Sequence, residues 1–204
     1  MTDICYIIGA GEFHGTISPK ENDLVIAADG GYDTLRRIGA RADILLGDLD
    51  SLKGEISDIS VLRFPKEKDE TDMHLAYLEG ARRGYRVFHI YGGTGGREDH
   101  TFANYSLLLQ AKLDGNDMRL FGCGSEIFVI CDEENKISGA PGETISVFAF
   151  GGAAEGVSIK GLKYEIENTD LYPSFPIGVS NEFISSECSV SVRRGALLIM
   201  KEKK

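Results

Sequence analysis

Up to about residue 120, short runs that are apolar on both faces alternate with stretches of helical spacing. Cys5–Ile8, Leu24–Ala28, Ile44–Leu46, Val61–Phe64, Val87–Tyr91 and Met118–Phe121 are the apolar runs. A strand without a polar face must be covered on both sides, as strands of a parallel sheet are. Between them, Met73, Ala76, Tyr77, Gly80, Ala81 and Gly84 recur at i, i+3, i+4 spacing and predict a helix from Thr71 to Arg83. Asp69 or Thr71 can cap its start, and Gly84 stands where its C-terminus needs a glycine. A second helix is predicted from about Thr101 to Leu113, with Phe102, Tyr105, Leu109 and Leu113 on one face. Strand–helix alternation of this kind predicts an α/β N-terminal domain with a mainly parallel three-layer sheet.

After about Gly122 the pattern changes. Ile127–Cys131, Thr144–Phe150, Gly156–Lys160, Ser189–Arg193 and Ala196–Met200 read as strands, separated by turn signals at Pro141-Gly142, Gly151-Gly152 and Arg194-Gly195. No helical spacing interrupts them, which predicts a C-terminal all-β sandwich. The expected division is residues 1–122 and 123–204.

Composition narrows the partners. The 204 residues carry 32 Asp and Glu against 22 Lys and Arg, a net charge of −10, and this argues against nucleic acid or an anionic membrane as a partner. No apolar run exceeds five residues, so no membrane span is expected. The start, Met1-Thr-Asp-Ile-Cys5, lacks the basic and apolar regions of a signal peptide, and a cytoplasmic location is expected. Cys5, Cys123, Cys131 and Cys188 form no Cys-x-x-Cys pair and are expected to be free, buried thiols.

Three acidic clusters each follow a predicted strand: Asp29-Gly30-Gly31, Gly47-Asp48-Leu49-Asp50-Ser51 and Lys68-Asp69-Glu70-Thr71-Asp72. In open α/β sheets ligands gather at the carboxyl ends of the strands. On extended backbone Asp48 and Asp50 point the same way and can reach one hard cation such as Mg²⁺. Any one cluster is also what turns and helix caps use; three at successive strand ends argue for a site. A fourth element, Tyr91-Gly92-Gly93-Thr94-Gly95-Gly96-Arg97-Glu98-Asp99-His100, lies between a strand and a helix. Its glycines allow a phosphate to approach the backbone, and Arg97 can grip phosphate oxygens, although a plain flexible loop fits the same composition. The turn Gly9–Gly15 is glycine-rich but carries no following Lys-Ser/Thr.

These four pieces together resemble the thiamin pyrophosphokinase family, and Gly161-Leu-Lys-Tyr164 and Gly178-Val-Ser-Asn-Glu182 resemble its thiamin-side segments. The resemblance implies a nucleotide domain followed by a β-sandwich, and transfer of pyrophosphate from ATP to the thiamin hydroxyethyl oxygen with release of AMP. It implies Asp48, Asp50 and Asp72 as ligands of Mg²⁺, with Asp29, Gly30, Gly31, Lys68, Gly92, Gly93, Thr94, Gly95 and Arg97 around ATP. Asp72, Asp99, His100, Ser180 and Asn181 would lie against thiamin, with Asp99 orienting its hydroxyl or acting as a base. His100 reads equally as a helix-start residue. A homodimer with thiamin between subunits is implied. The chain has no Trp to stack on thiamin; Phe183 or Tyr172 would supply the π-face instead. Lys68 stands where some members carry Gln. A pyrophosphokinase for another small alcohol, such as a pterin, would share the N-terminal half, and a non-catalytic nucleotide- or thiamin-binding module is the reading from another class.

Overall fold

The computed structural model describes residues 2–48, 59–65 and 67–202. The chain divides into two compact units, residues 1–107 with 115–123 and residues 108–114 with 124–204.

In the first unit six strands pair in the order β4 (Ser60–Arg63), β3 (Ile44–Gly47), β2 (Leu24–Ala28), β1 (Ile4–Ile8), β5 (Val87–Tyr91), β6 (Asp117–Gly122). All these pairings are parallel. Parallel strands align their carboxyl ends, so the segments after β1, β2, β3 and β5 emerge along one edge. Tyr6, Ile8, Val25, Ala27, Leu45 and Tyr91 form one core with Tyr32 and Leu35 of α1 (Gly31–Ile38), a helix that the apolar spacing did not announce. On the opposite face Gly80 of α2 (Asp72–Arg82) rides so close that a Cβ there would lie 2.8 Å from Cys5 Sγ and from the Phe88 ring. Tyr77 meets Phe88 edge to face, with ring centroids 5.0 Å apart.

The ends of α2 follow local chemistry. Thr71 is the N-cap, its Oγ1 accepting from the His74 amide at 3.2 Å. At the other end Gly84 has φ +94°, its amide donates to Ala81 and the Tyr85 amide donates to Gly80, a Schellman closure. Glu79 in the last turn accepts from Arg82 at 2.8 Å and Arg83 at 2.7 Å.

Helix α3 (Glu98–Leu113) begins three residues before the expected Thr101, and it buries a different face. Asn104, Leu107, Leu108 and Ala111 are inside, while Phe102 is 64% and Leu113 70% exposed. The helix carries two apolar stripes, and the buried one offers small and branched side chains.

The second unit is antiparallel: β7 (Ser125–Cys131), β13 (Arg194–Glu202), β9 (Thr144–Lys160), β12 (Glu187–Ser191) and β8 (Glu134–Ser138) follow in that order. β10 (Ile166–Leu171) and the short β11 (Asn181–Glu182) also pair with β9. The strands expected at Thr144–Phe150 and Gly156–Lys160 are one 17-residue element. Gly151, with φ +72°, bends the chain where a turn was expected. The first half of β9 pairs with β13 and β11, the second with β10 and β12, around a core that includes Phe128, Ile145, Val147, Val157, Ile159, Phe183 and Leu197.

All four cysteines are free, but they are not alike: Cys5 and Cys188 are buried, Cys131 is half-buried and Cys123 is exposed. Burial pushes the Cys5 thiol up, and the Cys188 thiol up to about 11, so both stay protonated near neutrality. A thiol-specific disulfide reagent at pH 8 should therefore label Cys123 first, and Cys5 and Cys188 only after denaturation; peptide mapping reads the order.

Hydrogen bonds from Arg82 and then Arg83 hold the Glu79 carboxyl at about 2, below its ordinary 4.5. A depressed carboxyl stabilises the fold above its unfolded value and stops doing so as pH falls through the folded one. Glu79→Gln should lower stability at pH 7 by on the order of 1 kcal/mol and flatten the acid-side loss between about pH 4.5 and pH 2 in thermal melts.

Candidate functional site

The carboxyl edge of the parallel sheet is organised by two glycine turns that meet backbone to backbone. The turn after β1 donates from Gly9 to the Tyr91 carbonyl at 2.8 Å, from Gly11 to Gly92 at 2.9 Å and from Glu12 to Thr94 at 2.8 Å. A Cβ on Gly9 would lie 2.6 Å from the Gly92 oxygen, one on Gly11 2.3 Å from the Thr94 oxygen, and one on Gly92 2.5 Å from the Gly9 oxygen. No side chain fits this contact from either side. The Gly9–Gly15 turn, the weaker signal in the sequence, is thus half of the structure that shapes the other loop.

Between these turns and the start of α3 lies a cleft of about 270 Å³. Ala10, Gly11, Met73, Gly92, Gly93, Thr94, Gly96, Arg97, His100, Thr101 and Asn104 line it. Of the residues expected at the site, Gly92, Gly93, Thr94, Arg97 and His100 are therefore brought together here. Gly95 belongs to the same loop with φ +72°, packed against the Glu12 side chain rather than lining the cleft. Ala10, Gly11, Met73, Thr101 and Asn104 were not anticipated. For Asn104 a signal existed: a polar amide among apolar residues at helical spacing.

The carbonyls of Gly92 and Thr94 accept from the first turn, and the Gly93 carbonyl accepts from Asn104 Nδ2 at 2.7 Å. Among the described residues the backbone amides of Gly93 to Arg97 donate to none. Acceptors turned inward with donors left open make a surface that receives anions, and the N-terminus of α3 adds its dipole.

The charged residues at the rim are paired. Arg97 forks onto Asp99, Nε to Oδ1 at 3.1 Å and Nη2 to Oδ2 at 2.5 Å, with both side chains exposed. The guanidinium holds the Asp99 carboxyl below the usual carboxylate range, and Asp99 raises Arg97 in turn. Lys68 Nζ, in the segment before α2, lies 2.7 Å from Asp72 Oδ1 and 5.7 Å from the centre of the Phe64 ring. Asp72 opens α2 one residue before Met73, which lines the cleft.

Asp29 and Asp48 follow β2 and β3. Asp29 adopts φ +47°, a left-handed backbone that a non-glycine residue accepts only under constraint, and its amide donates to the Leu46 carbonyl at 2.7 Å. A Cβ on Gly47 would lie 3.3 Å from Asp29 Cβ, so the two strand ends run side by side. Gly31 is required for packing: a Cβ there would lie 1.9 Å from the Ile8 oxygen. Gly30 sits 3.1 Å from Ala10 Cβ by the same measure. Asp50 lies outside the described residues. Among the described residues no three His, Cys, Asp or Glu side chains are grouped around a common point that would hold a metal ion.

In the second unit Asn181 is buried and spends its amide internally: Oδ1 accepts from the Tyr164 amide at 3.0 Å and the Glu182 amide at 2.9 Å, and Nδ2 donates to the Tyr164 carbonyl at 2.7 Å. It ties the Gly161–Tyr164 segment to β11. Ser180 is exposed with φ +55°, its amide donating to Ser146 Oγ at 3.0 Å. Phe183 does not offer a stacking face: it is 1% exposed, and a Cβ on Gly139 would touch its ring at 2.7 Å. Tyr172 is 52% exposed and lines an apolar groove with Phe175, Pro176 and Ile177.

Two family profiles match the chain. That described as thiamin pyrophosphokinase, catalytic domain, matches residues 18–120. That described as thiamin pyrophosphokinase, vitamin B1 binding domain, matches residues 129–197. A thiamine pyrophosphokinase of Bacillus subtilis is 27% identical over 194 residues, 89% of this chain and 88% of the relative. The crystal structure of thiamine pyrophosphokinase from Bacillus subtilis superposes with a TM-score of 0.88 at 25% identity, covering 100% of both chains. That from Geobacillus thermodenitrificans gives 0.84 at 25% identity, covering 98% of both. The yeast enzyme, at 16% identity and a TM-score of 0.76 over 98% of this chain and 86% of its own, shares the fold. With both profiles matched in order along one chain, and most of the residues lining the cleft inside the first, the chain belongs to the thiamin pyrophosphokinase family.

Proposed function

We infer that the chain is an enzyme that transfers the pyrophosphoryl group of ATP to the hydroxyethyl oxygen of thiamin, giving thiamin diphosphate and AMP. The observation that carries the nucleotide half of this reading is the Gly92–Arg97 loop along the cleft: the Gly92, Gly93 and Thr94 carbonyls accept hydrogen bonds from within the protein, and among the described residues the amides of Gly93 to Arg97 donate to no backbone carbonyl. A triphosphate needs donors and is repelled by facing carbonyls, and this loop keeps amides uncommitted while committing three of its carbonyls elsewhere. A non-catalytic module would need the donors alone; the carboxylates of Asp29, Asp48 and Asp72 along the same edge have no use in it.

The oxygen donors of Asp48 and Asp72 suit a hard cation, which takes one or two carboxylates and completes its shell with phosphate and water. Asp48, Asp72 and Asp50 would hold Mg²⁺, which when bound neutralises charge on the phosphate oxygens. Lys68 fixes Asp72 and brings a positive charge to the same rim. Asp29, beside Gly47, adds to the negative field around that position.

The reaction forms a bond between the thiamin oxygen and the β-phosphorus and breaks the bond from the β-phosphorus to the oxygen that leaves with AMP. Little covalent help is needed from the protein, so holding the reactants in line does most of the work. Arg97 is exposed at the mouth of the cleft and bidentate, which is the geometry that grips phosphate. When it turns to phosphate it leaves Asp99, and the contact that keeps the Asp99 carboxyl low goes with it. Asp99 is then free to orient the thiamin hydroxyl or to accept its proton. His100 forms part of the wall.

Thiamin itself is assigned to the second unit, through Ser180, the Tyr164 segment that Asn181 holds, and Tyr172 as the exposed aromatic, in a homodimer with thiamin at the subunit interface. Helices on both faces of the first sheet support a three-layer α/β domain. The strand β9, shared between two sets of partners around one core, supports a sandwich in the second. Four free cysteines suit a reducing compartment such as the cytoplasm. Among the described residues no helix is long and apolar enough to cross a membrane.

Incubation with thiamin, ATP and Mg²⁺ should yield thiamin diphosphate and AMP in equal amounts by chromatography. Release of ADP, or turnover of a pterin alcohol with none of thiamin, would refute the assignment. Asp48→Asn should lower kcat by about a hundredfold or more with little change in melting temperature.

A further inference from the structure

We infer that Asn104 is a positioning residue for ATP, acting through the Gly93 carbonyl. This rests on the reading of the Gly92–Arg97 loop as the phosphate-binding surface.

Asn104 is 4% exposed, on the inner face of α3, among Leu107, Leu108 and Ala111. A buried amide in such company is costly unless it is bonded, and its Nδ2 donates to the Gly93 oxygen at 2.7 Å. Gly93 itself is enclosed: a Cβ there would lie 3.1 Å from Ile90 Cγ2 and Leu120 Cδ1, and 3.3 Å from Asn104 Nδ2. The peptide after Gly93 therefore has one orientation that satisfies its oxygen, pointing into the protein at Asn104. A peptide is planar, so fixing the oxygen inward turns the amide of Thr94 the opposite way. The neighbouring carbonyls of Gly92 and Thr94 are held by Gly11 and Glu12, backbone to backbone. Gly93 alone depends on a side chain. Without Asn104, the Gly93 carbonyl is the one of these three that loses its partner, and its peptide can flip to present that carbonyl to the phosphates.

Asn104 also lines the cleft, but its role is to orient the loop and not to touch the reacting atoms. Two substitutions separate orientation from bulk packing. Asn104→Asp keeps the shape and replaces the donor with an acceptor facing the Gly93 oxygen. Asn104→Ser removes the reach without adding charge. Both variants should raise the dissociation constant for a non-hydrolysable ATP analogue, measured by calorimetry, and the KM for ATP, by about tenfold or more. The KM for thiamin should change less than about threefold, and Asn104→Asp should exceed Asn104→Ser.

A residue that merely packs would lower the melting temperature of both variants and move the two KM values together or not at all. That result, in whichever variant is folded by circular dichroism, overturns the role of Asn104 and leaves the reaction assignment intact. Failure of the unaltered enzyme to make thiamin diphosphate overturns the reaction assignment; unaltered ATP-analogue affinity in Asn104→Ser then still decides against Asn104 independently.

Discussion

Three backbone hydrogen bonds join the turn after β1 to the turn after β5, and they form because the contact excludes side chains on both sides. The shape of this edge of the sheet depends on that closeness. It engages the carbonyls of Tyr91, Gly92 and Thr94, and the loop so held leads into α3. A larger residue at Gly9, Gly11 or Gly92 would meet carbonyl oxygen at 2.6 Å or less. Backbone cannot swing aside as a flexible side chain does, so the displacement would pass into the loop itself.

Around that contact the charges are held in reserve. Arg97 is paired with Asp99 and Lys68 with Asp72, each cation beside an acid. Neither cation is left without a counter-charge. Against a net charge of −10, the uncommitted loop amides, the start of α3 and Arg97 gather positive potential beside one cleft.

Local chemistry was legible in advance wherever it decided the outcome. Thr71 and Gly84 bound α2 as their types require, since capping involves only neighbours in sequence. The acid-tipped strands and the Gly92–His100 run sit where a parallel sheet must put them. Other features depend on which neighbour arrives. Helix α3 offers two apolar stripes, and Leu107, Leu108 and Ala111 are buried while Phe102 and Leu113 are exposed, a choice the helical spacing alone does not make. Gly151-Gly152 is a turn signal that serves as a bend, since β9 finds different partners on either side of it. Phe183 and Tyr172 are equivalent π-faces by type, yet only Tyr172 is exposed.

The sequence by itself determined the order of the parallel strands, the acidic and glycine-rich strand ends and the family, because these rest on residue types at fixed spacing along the chain. The tertiary structure decided the function of the Gly9–Gly15 turn, the internal commitment of Asn181 and the bond from Asn104 to Gly93. Each joins residues more than one turn or hairpin apart along the chain. Which partner a buried donor meets is set by how the fold brings the segments together, and the spacing within one segment does not name that partner.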